Sequence, residues 1–561
     1  LPAASAIGER ITGVLMDFEI PEALIGVLLE KIDAESALAK RVLEHGVCHG
    51  RMIVASKLFD GKSLNILHGL AKQSDDRALL FQLLALDNIR NAPQARVIPN
   101  LDALPAGLAA YFARDAIDGW IYRRNKDGIL LPWLVQRIEH VIPEQGFPYV
   151  VVHLLANTVN SANSESTDHH MRRAGMTNAV VINRHDIVNR TIPELLAEFG
   201  YFKECAEFKQ EYEEHARQFL NFQARFGAQF VIGKAAFVID AAGLLELVRI
   251  SDGVSAKCIN DEEALERRFE MTADNEFWRG VDIAEGFDKI PLHCYVHLFH
   301  LEWHRNIWVH VQNMQEYRYQ PELRDKLILP AKHRDLIDIL TSSMNILVQD
   351  FVPGKSGGTT ILCKGAPGLG KTLTAEVYSE VVGKPLYRVH SGQLGITASS
   401  VEANLSDILR RAVRWDAILL LDEADVYIRC RDNDLQHNAI VAEFLRTLEY
   451  FNGLLFMTTN RDDDVDDAIL SRCIATIQYE VPPKADAIRL WHSLAQQFQA
   501  DLPEALVEKL TVTYAKASGR DIKELLKLTS KFCSAKNIPF SEDAFNQCAV
   551  FRGYPEVAPT R

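Results

Sequence analysis

In the C-terminal part of the chain, short apolar runs alternate with longer amphipathic stretches. Thr359-Thr360-Ile361-Leu362-Cys363-Lys364 is brief, β-branched and apolar, and predicts a buried strand. Thr372 to Val382 contains neither Pro nor Gly and predicts a helix. Ile418-Leu419-Leu420-Leu421 reads as a strand buried on both faces, as in the middle of a parallel sheet. Gly453-Leu454-Leu455-Phe456-Met457-Thr458 reads the same way. Asp466–Arg472 and the stretch opening at Ser518-Gly519-Arg520-Asp521-Ile522 read as helices, the second amphipathic.

The first 324 residues show different periods. Residues 1–145 read as a mainly helical domain, with Pro21–Leu38 and Asp76–Asn91 as examples. Residues 146–227 are mixed: a strand at Tyr149–Leu155, a polar Asn/Ser loop at 157–167, a strand at Asn178–Asn183 and a long helix, Glu204–Phe226, charged on one face. Residues 228–324 read as a β-rich module in which Gln229–Asp240, Leu292–His300 and Ile307–Gln312 alternate or carry β-branched and aromatic side chains. Leu327-Ile328-Leu329-Pro330 then leads into a helix expected over Lys332–Val348.

At 561 residues the chain exceeds the size at which one core keeps growing, so two to four domains are expected. No apolar run reaches the roughly 18 residues of a membrane span, and no secretory signal is visible, so a cytoplasmic protein without a membrane partner is expected. The chain begins at Leu1 rather than Met, which leaves a trimmed targeting peptide open. Nine scattered cysteines without a CxxC pair fit a reducing compartment and no structural zinc. Net charge is −14, and the 24 basic and 27 acidic residues after position 350 nearly balance, so most of the excess lies upstream. That argues against a broad duplex-binding surface.

Chemistry concentrates at the strand ends. Gly365-Ala366-Pro367-Gly368-Leu369-Gly370-Lys371-Thr372 is a complete GxxxxGK[ST] loop between a predicted strand and a predicted helix. Such a loop points backbone N–H groups and a helix dipole at phosphate oxygens. Lys371 would reach the β- and γ-phosphates, and the Thr372 hydroxyl would hold Mg²⁺. Some fifty residues on, Asp422-Glu423 follows the second strand, where open α/β sheets place their ligands. Asp422 suits Mg²⁺ held through water, and Glu423 suits activation of the water that attacks the γ-phosphate. Asn460, at the end of the third strand, has the reach to bond that water or the phosphate.

This set resembles the AAA+ ATPases. The resemblance covers roughly residues 325–550, and implies an α/β, P-loop parallel-sheet ATPase core (325–482) with a C-terminal helical lid (483–561), preceded by the mixed helical and β-rich N-terminal region. It implies that Lys371 and Thr372 are Walker A, Asp422 and Glu423 Walker B, and Asn460 the first sensor, with Arg472 as arginine finger and Arg520 as second sensor. It also implies ATP and Mg²⁺ as ligands, and hydrolysis at the subunit interfaces of a closed homo-oligomeric ring, six subunits by that likeness. Leu329 and Pro330 become candidates for the base pocket. The upstream region faintly resembles that of uncharacterised AAA proteins of fungi and bacteria.

Three functions follow from this. The favoured one is a remodelling ATPase whose residues 1–324 recognise a protein client or partner. The alternatives are a nucleic-acid-associated ATPase, for which Arg410, Arg411 and Arg414 are candidate contacts, and a nucleotide-gated scaffold or sensor. The segment Ser391-Gly392-Gln393-Leu394-Gly395-Ile396 lacks the aromatic with which ring unfoldases grip a threaded chain, which argues against processive threading. His293, His297, His300, His304 and His310 crowd together, but strand alternation keeps them off one face and disfavours a metal site. Asp168-His169-His170 reads as a solvated loop.

Overall fold

The computed structural model describes residues 17–554 except 35, 45–50, 56–57, 75–78, 80–96, 126, 162–170, 240–244, 251–255, 263–289, 343–357, 432–433, 450 and 462–463. Its strands are β1 (Asp17–Pro21), β2 (Arg51–Ala55), β3 (Trp120–Arg124), β4 (Leu130–Val141), β5 (Tyr149–Ser161), β6 (Met171–Asn183), β7 (Tyr201–Lys203), β8 (Gln229–Ile232), β9 (Ala235–Ile239), β10 (Leu245–Arg249), β11 (Ala256–Asn260), β12 (Tyr295–His300), β13 (Arg305–His310), β14 (Met314–Glu316), β15 (Thr359–Gly365), β16 (Leu386–His390), β17 (Ile418–Asp422), β18 (Leu454–Thr459) and β19 (Ala475–Tyr479).

Three larger sheets result. β6-β5-β4-β3-β7 and β10-β9-β13-β12-β11-β8-β14 are antiparallel. The third, β16-β17-β18-β15-β19, is wholly parallel, with helices in its crossovers. Four C-terminal helices, Lys484–Gln497, Glu504–Thr513, Gly519–Lys536 and Glu542–Ala549, pack around Trp491, Leu525 and Phe545 as a separate cluster.

The helical character expected up to residue 145 ends, among the described residues, at Ala113. β3 and β4 follow, and the β4–β5 hairpin pairs Val141 with Tyr149 across that position. The apolar run Ile129–Val135 shows no period of two because β4 is buried on both faces at its start. Pro21–Leu38 is not one helix but Glu22–Lys31, then a break at Ile32, which is extended, and a new helix from Ala37 that Ser36 caps. The polar stretch from 157 continues β5 as far as Ser161. A helix appears over Ala206–Gln223 where the longer Glu204–Phe226 was expected, and one over Ala331–Ser342 covers the described part of the expected Lys332–Val348, whose residues 343–348 lie outside the described residues. Asp168-His169-His170 and nearly all of the proposed helix Asp76–Asn91 lie outside the described residues.

The seven-stranded sheet is fastened to the parallel one. Phe299 and Ile259 share a buried cluster with Tyr387 and Trp415. Asp261, also buried, accepts hydrogen bonds from Trp415 Nε1 at 2.7 Å and from Arg414 Nη2 at 2.5 Å. Arg411 lies over the Phe299 ring at 5.1 Å, and Arg410 pairs with Asp407. The three arginines put forward as nucleic-acid contacts are therefore engaged within the chain. A second fastening holds helix Lys371–Val382: buried Glu380 accepts from Tyr317 Oη at 2.5 Å, Lys257 Nζ at 3.1 Å and the Gln320 N–H at 3.1 Å.

Candidate nucleotide site

β15 delivers the chain to Gly365, and helix Lys371–Val382 begins six residues later. Two of the loop's glycines are required by space as well as by backbone angle, while Gly370, at φ +97°, is required by angle alone. Gly368 has φ +82°, and a Cβ there would stand 2.6 Å from Ser518 Oγ and 2.8 Å from Arg520 Cβ. At Gly365, φ +139°, a Cβ would meet the Tyr479 carbonyl oxygen at 2.3 Å. Buried Lys371 donates from Nζ to the carbonyls of Gly365 at 2.6 Å and Ala366 at 2.8 Å, and to Asn460 Oδ1 at 2.9 Å. Burial pushes its pKa down, while Asp425 and Asp422 act against that.

The acidic residues meet the loop because β17 and β18 end at the same edge as β15. Asp422 Oδ1 accepts from Thr372 Oγ1 at 2.9 Å and Thr458 Oγ1 at 2.6 Å, and Oδ2 from Arg388 Nη2 at 2.5 Å. Burial raises the Asp422 pKa, but those hydroxyls and the guanidinium outweigh it and hold the carboxyl below its ordinary range. Glu423 is exposed and takes a left-handed backbone, φ +56°, with its N–H donating to Thr458 Oγ1 at 3.0 Å. For a non-glycine that conformation costs about 1 kcal/mol or more. Asp425 accepts from the Thr459 hydroxyl and from the Asn460 N–H at 3.1 Å, so Asn460 is held between Asp425 and Lys371.

Lys371, Thr372, Asp422 and Asn460 therefore form one connected set, with Glu423 covalently next to it. Arg520 joins from the C-terminal bundle: its N–H donates to the Gly368 carbonyl at 3.2 Å, and Ser518 caps its helix in a reciprocal pair with Asp521. Arg472 stands apart. It follows the short helix Asp467–Leu470, donates to the Ala468 carbonyl at 3.0 Å, and lies 3.8 Å from Glu449 rather than bonding to the loop or Asp422. Leu329 is buried in the cluster that includes Tyr378 and Tyr479, and Pro330 is exposed. Ile396, beyond Gly395 at φ +97°, is 89% exposed.

Sequence reasoning missed Arg388, Asp425 and Thr458. Asp425 and Thr458 adjoin residues that were singled out, so their nearness was readable. Arg388 was not, since only the pairing of β16 with β17 brings it to Asp422. Thr372 and Asp422 supply hard oxygen donors at the end of a phosphate-shaped loop, a set that suits Mg²⁺. Among the described residues no helix is long and apolar enough to cross a membrane.

Residues 361–481 match the family model described as "ATPase family associated with various cellular activities (AAA)". The chain is similar to "Uncharacterized AAA family ATPase y4kL" of Sinorhizobium fredii, 31% identical over 180 residues, which cover 28% of this chain and 53% of that protein. It is 26% identical over 216 residues to "Mitochondrial sorting homolog" of Caenorhabditis elegans, 37% of this chain and 59% of that protein. It is also 26% identical over 180 residues to "ATP-dependent zinc metalloprotease FtsH 3" of Sphaerobacter thermophilus, 30% of this chain and 36% of that protein. The chain thus spans about half the length of the curated relatives it matches. Among solved structures, a chain of the E. coli MS115-1 HORMA:CdnC:Trip13 complex matches with a TM-score of 0.35 and 18% identity, covering 43% of this chain and 93% of that chain.

Proposed function

We propose that this chain, which belongs to the AAA+ ATPase superfamily, hydrolyses Mg²⁺–ATP at the subunit interfaces of a ring and uses it to remodel, assemble or disassemble a protein partner. The observation that carries the reading is the convergence of Lys371, Asn460, Thr372 and Asp422 at one edge of the parallel sheet. Lys371 exchanges its backbone acceptors for phosphate oxygens, while Thr372 and Asp422 hold the metal. Mg²⁺ supplies charge neutralisation on the phosphates. Glu423 accepts a proton from the attacking water, and Asn460 orients that water. Arg472, which none of its contacts ties to this site, reaches a neighbouring protomer's nucleotide. Residues 483–561 act as a lid whose Arg520 reports nucleotide state to the loop.

The partner is a protein engaged through residues 1–324. Engagement of Arg411 and Arg414 with Phe299 and Asp261 favours this over nucleic acid. The fastenings at Asp261 and Glu380 give movements of the core a direct route into the β-rich module. Exposed Ile396, without an aromatic beside it, favours remodelling by other surfaces over threading.

The Glu423→Gln variant tests the reading. It is expected to bind ATP, to lose turnover by about 100-fold or more, and to accumulate as rings in electron microscopy. Unchanged turnover would remove Glu423 from its role. Mixing Arg472→Ala with Glu423→Gln subunits is expected to restore part of the activity, and no recovery at any ratio would exclude a shared site.

A further inference from the structure

Arg388 belongs to no motif, yet it touches the residue that would carry the metal. β16 runs parallel to β17 with Arg388 beside Leu420 and His390 beside Asp422. From there Nη2 donates to Asp422 Oδ2 at 2.5 Å, and Nη1 stands 3.5 Å from Glu376 Oε1. Glu376 follows Thr372 by one helical turn, so the two share a face of helix Lys371–Val382. One guanidinium thus balances two carboxylates, Asp422 and Glu376, next to the Thr372–Asp422 contact.

The two oxygens of Asp422 are used differently. Oδ1 accepts two hydroxyls, and Thr372 can keep its bond there while its own oxygen binds a cation. Oδ2 is occupied by a full positive charge. A hydrated divalent ion needs carboxylate lone pairs for its water ligands, and it repels a guanidinium held within a few ångströms. The Arg388 side chain is 40% exposed, so water screens the pair and leaves the side chain room to swing away. Arginine cannot escape the conflict by losing its proton.

We propose that Arg388 is a resident counter-ion that competes with Mg²⁺ for Asp422, a positioning residue that sets how much metal nucleotide binding requires. It rests on the nucleotide site argued above. With Arg388 present, the charges of Asp422 and Glu376 are masked, and metal-free nucleotide meets less repulsion. Without it, metal-free nucleotide binds less well and the metal binds at lower concentration.

ADP affinity measured by calorimetry over a Mg²⁺ series starting in EDTA tests this with the full chain. In Arg388→Met, the Mg²⁺ concentration for half-maximal tightening is expected to fall about three- to tenfold, and ADP affinity in EDTA to weaken. Arg388→Lys is expected to stay near wild type in both, and added salt to narrow the gap. Arg388→Gln, neutral but still polar, is expected to follow Met and serves if Met fails to fold. An unchanged or raised Mg²⁺ midpoint in a folded neutral variant overturns the inference. If the wild-type chain binds no ADP at any Mg²⁺ concentration, the nucleotide reading itself fails; binding with an Arg388-insensitive midpoint removes only the counter-ion role.

Discussion

β17 and β12 are both interior strands, buried along their whole length, and both bring polar groups into dry surroundings. They treat those groups in opposite ways. Around β12 the histidines lean largely on backbone: His297 Nδ1 meets the Asp261 carbonyl at 3.1 Å, and His300 Nδ1 accepts the Glu302 and Trp303 N–H groups at 3.2 and 3.1 Å. His293, just before the strand, binds the Pro132 carbonyl and Thr158 Oγ1, both at 2.9 Å. Asp422, closing β17, relies on side chains from three other elements, Thr372, Thr458 and Arg388. Partners enclosed in the interior are fixed by the fold, whereas those at the open end of a parallel strand, the loop carbonyls that hold Lys371 included, can be traded for a ligand. Parallel strands create the second situation because their C-terminal ends collect residues from distant parts of the chain at one edge.

The largest effect expected from this contrast is at Lys371, whose amine is held by two carbonyls and Asn460. Lys371→Ala is expected to weaken ATP binding by on the order of 100-fold or more, since charge-assisted bonds to phosphate are lost while the fold keeps its glycines. Calorimetry with ATP checks it. Wild-type affinity in the variant would erase the distinction between exchangeable and fixed partners.

What was legible in the chain follows the same division. The strand, loop and helix around Gly365–Thr372 were readable because short buried strands, positive-φ glycines and Pro-free helices leave local signatures. Asp422 and Asn460 were readable because they end such strands. Arg388 was not, because its meaning depends on which strand lies beside β16. The sheet formed by β3 to β7 was partly hidden as well: where β4 is buried on both faces, the alternation that marks a half-exposed strand disappears. The histidine spacing suggested a metal until strand alternation separated the side chains. Their hydrogen bonds to Pro132, Thr158 and Asp261 depend on tertiary structure and left no local mark.

A smaller effect sharpens the contrast at the join between the two sheets. Asp261 is a buried carboxylate, and its loss strands the Trp415 N–H and the Arg414 guanidinium. Asp261→Ala is expected to cost about 2 to 4 kcal/mol, read as a lowered thermal midpoint by calorimetry, with Asp261→Asn losing less. A midpoint unchanged by Asp261→Ala would show that the Phe299–Trp415 cluster and the Glu380 fastening hold the β-rich module to the core without the Asp261 hydrogen bonds.

The last effect is a pH dependence that belongs to the histidines. Burial pushes the pKa of His293 down to about 4, and burial followed by the neighbouring His304 pushes that of His300 to about 4. His310 is lowered too, by burial first and then by His215 and His293. In the unfolded chain a histidine titrates near 6.5. Between that value and about 4 the unfolded form binds more protons than the folded one, so stability is complete above about 6.5 and is lost as pH falls through the window. The melting midpoint is accordingly expected to fall as pH is lowered from 7 to 5, before carboxylates such as Asp422, held below their ordinary range, begin to protonate. Ring-proton shifts in the folded protein give the direct check, with His293 and His310 showing no inflection down to pH 5. Titration of either near 6.5 would mean that its ring reaches water, and the β-rich module would then hold an exchangeable polar site of the kind found at the end of β17.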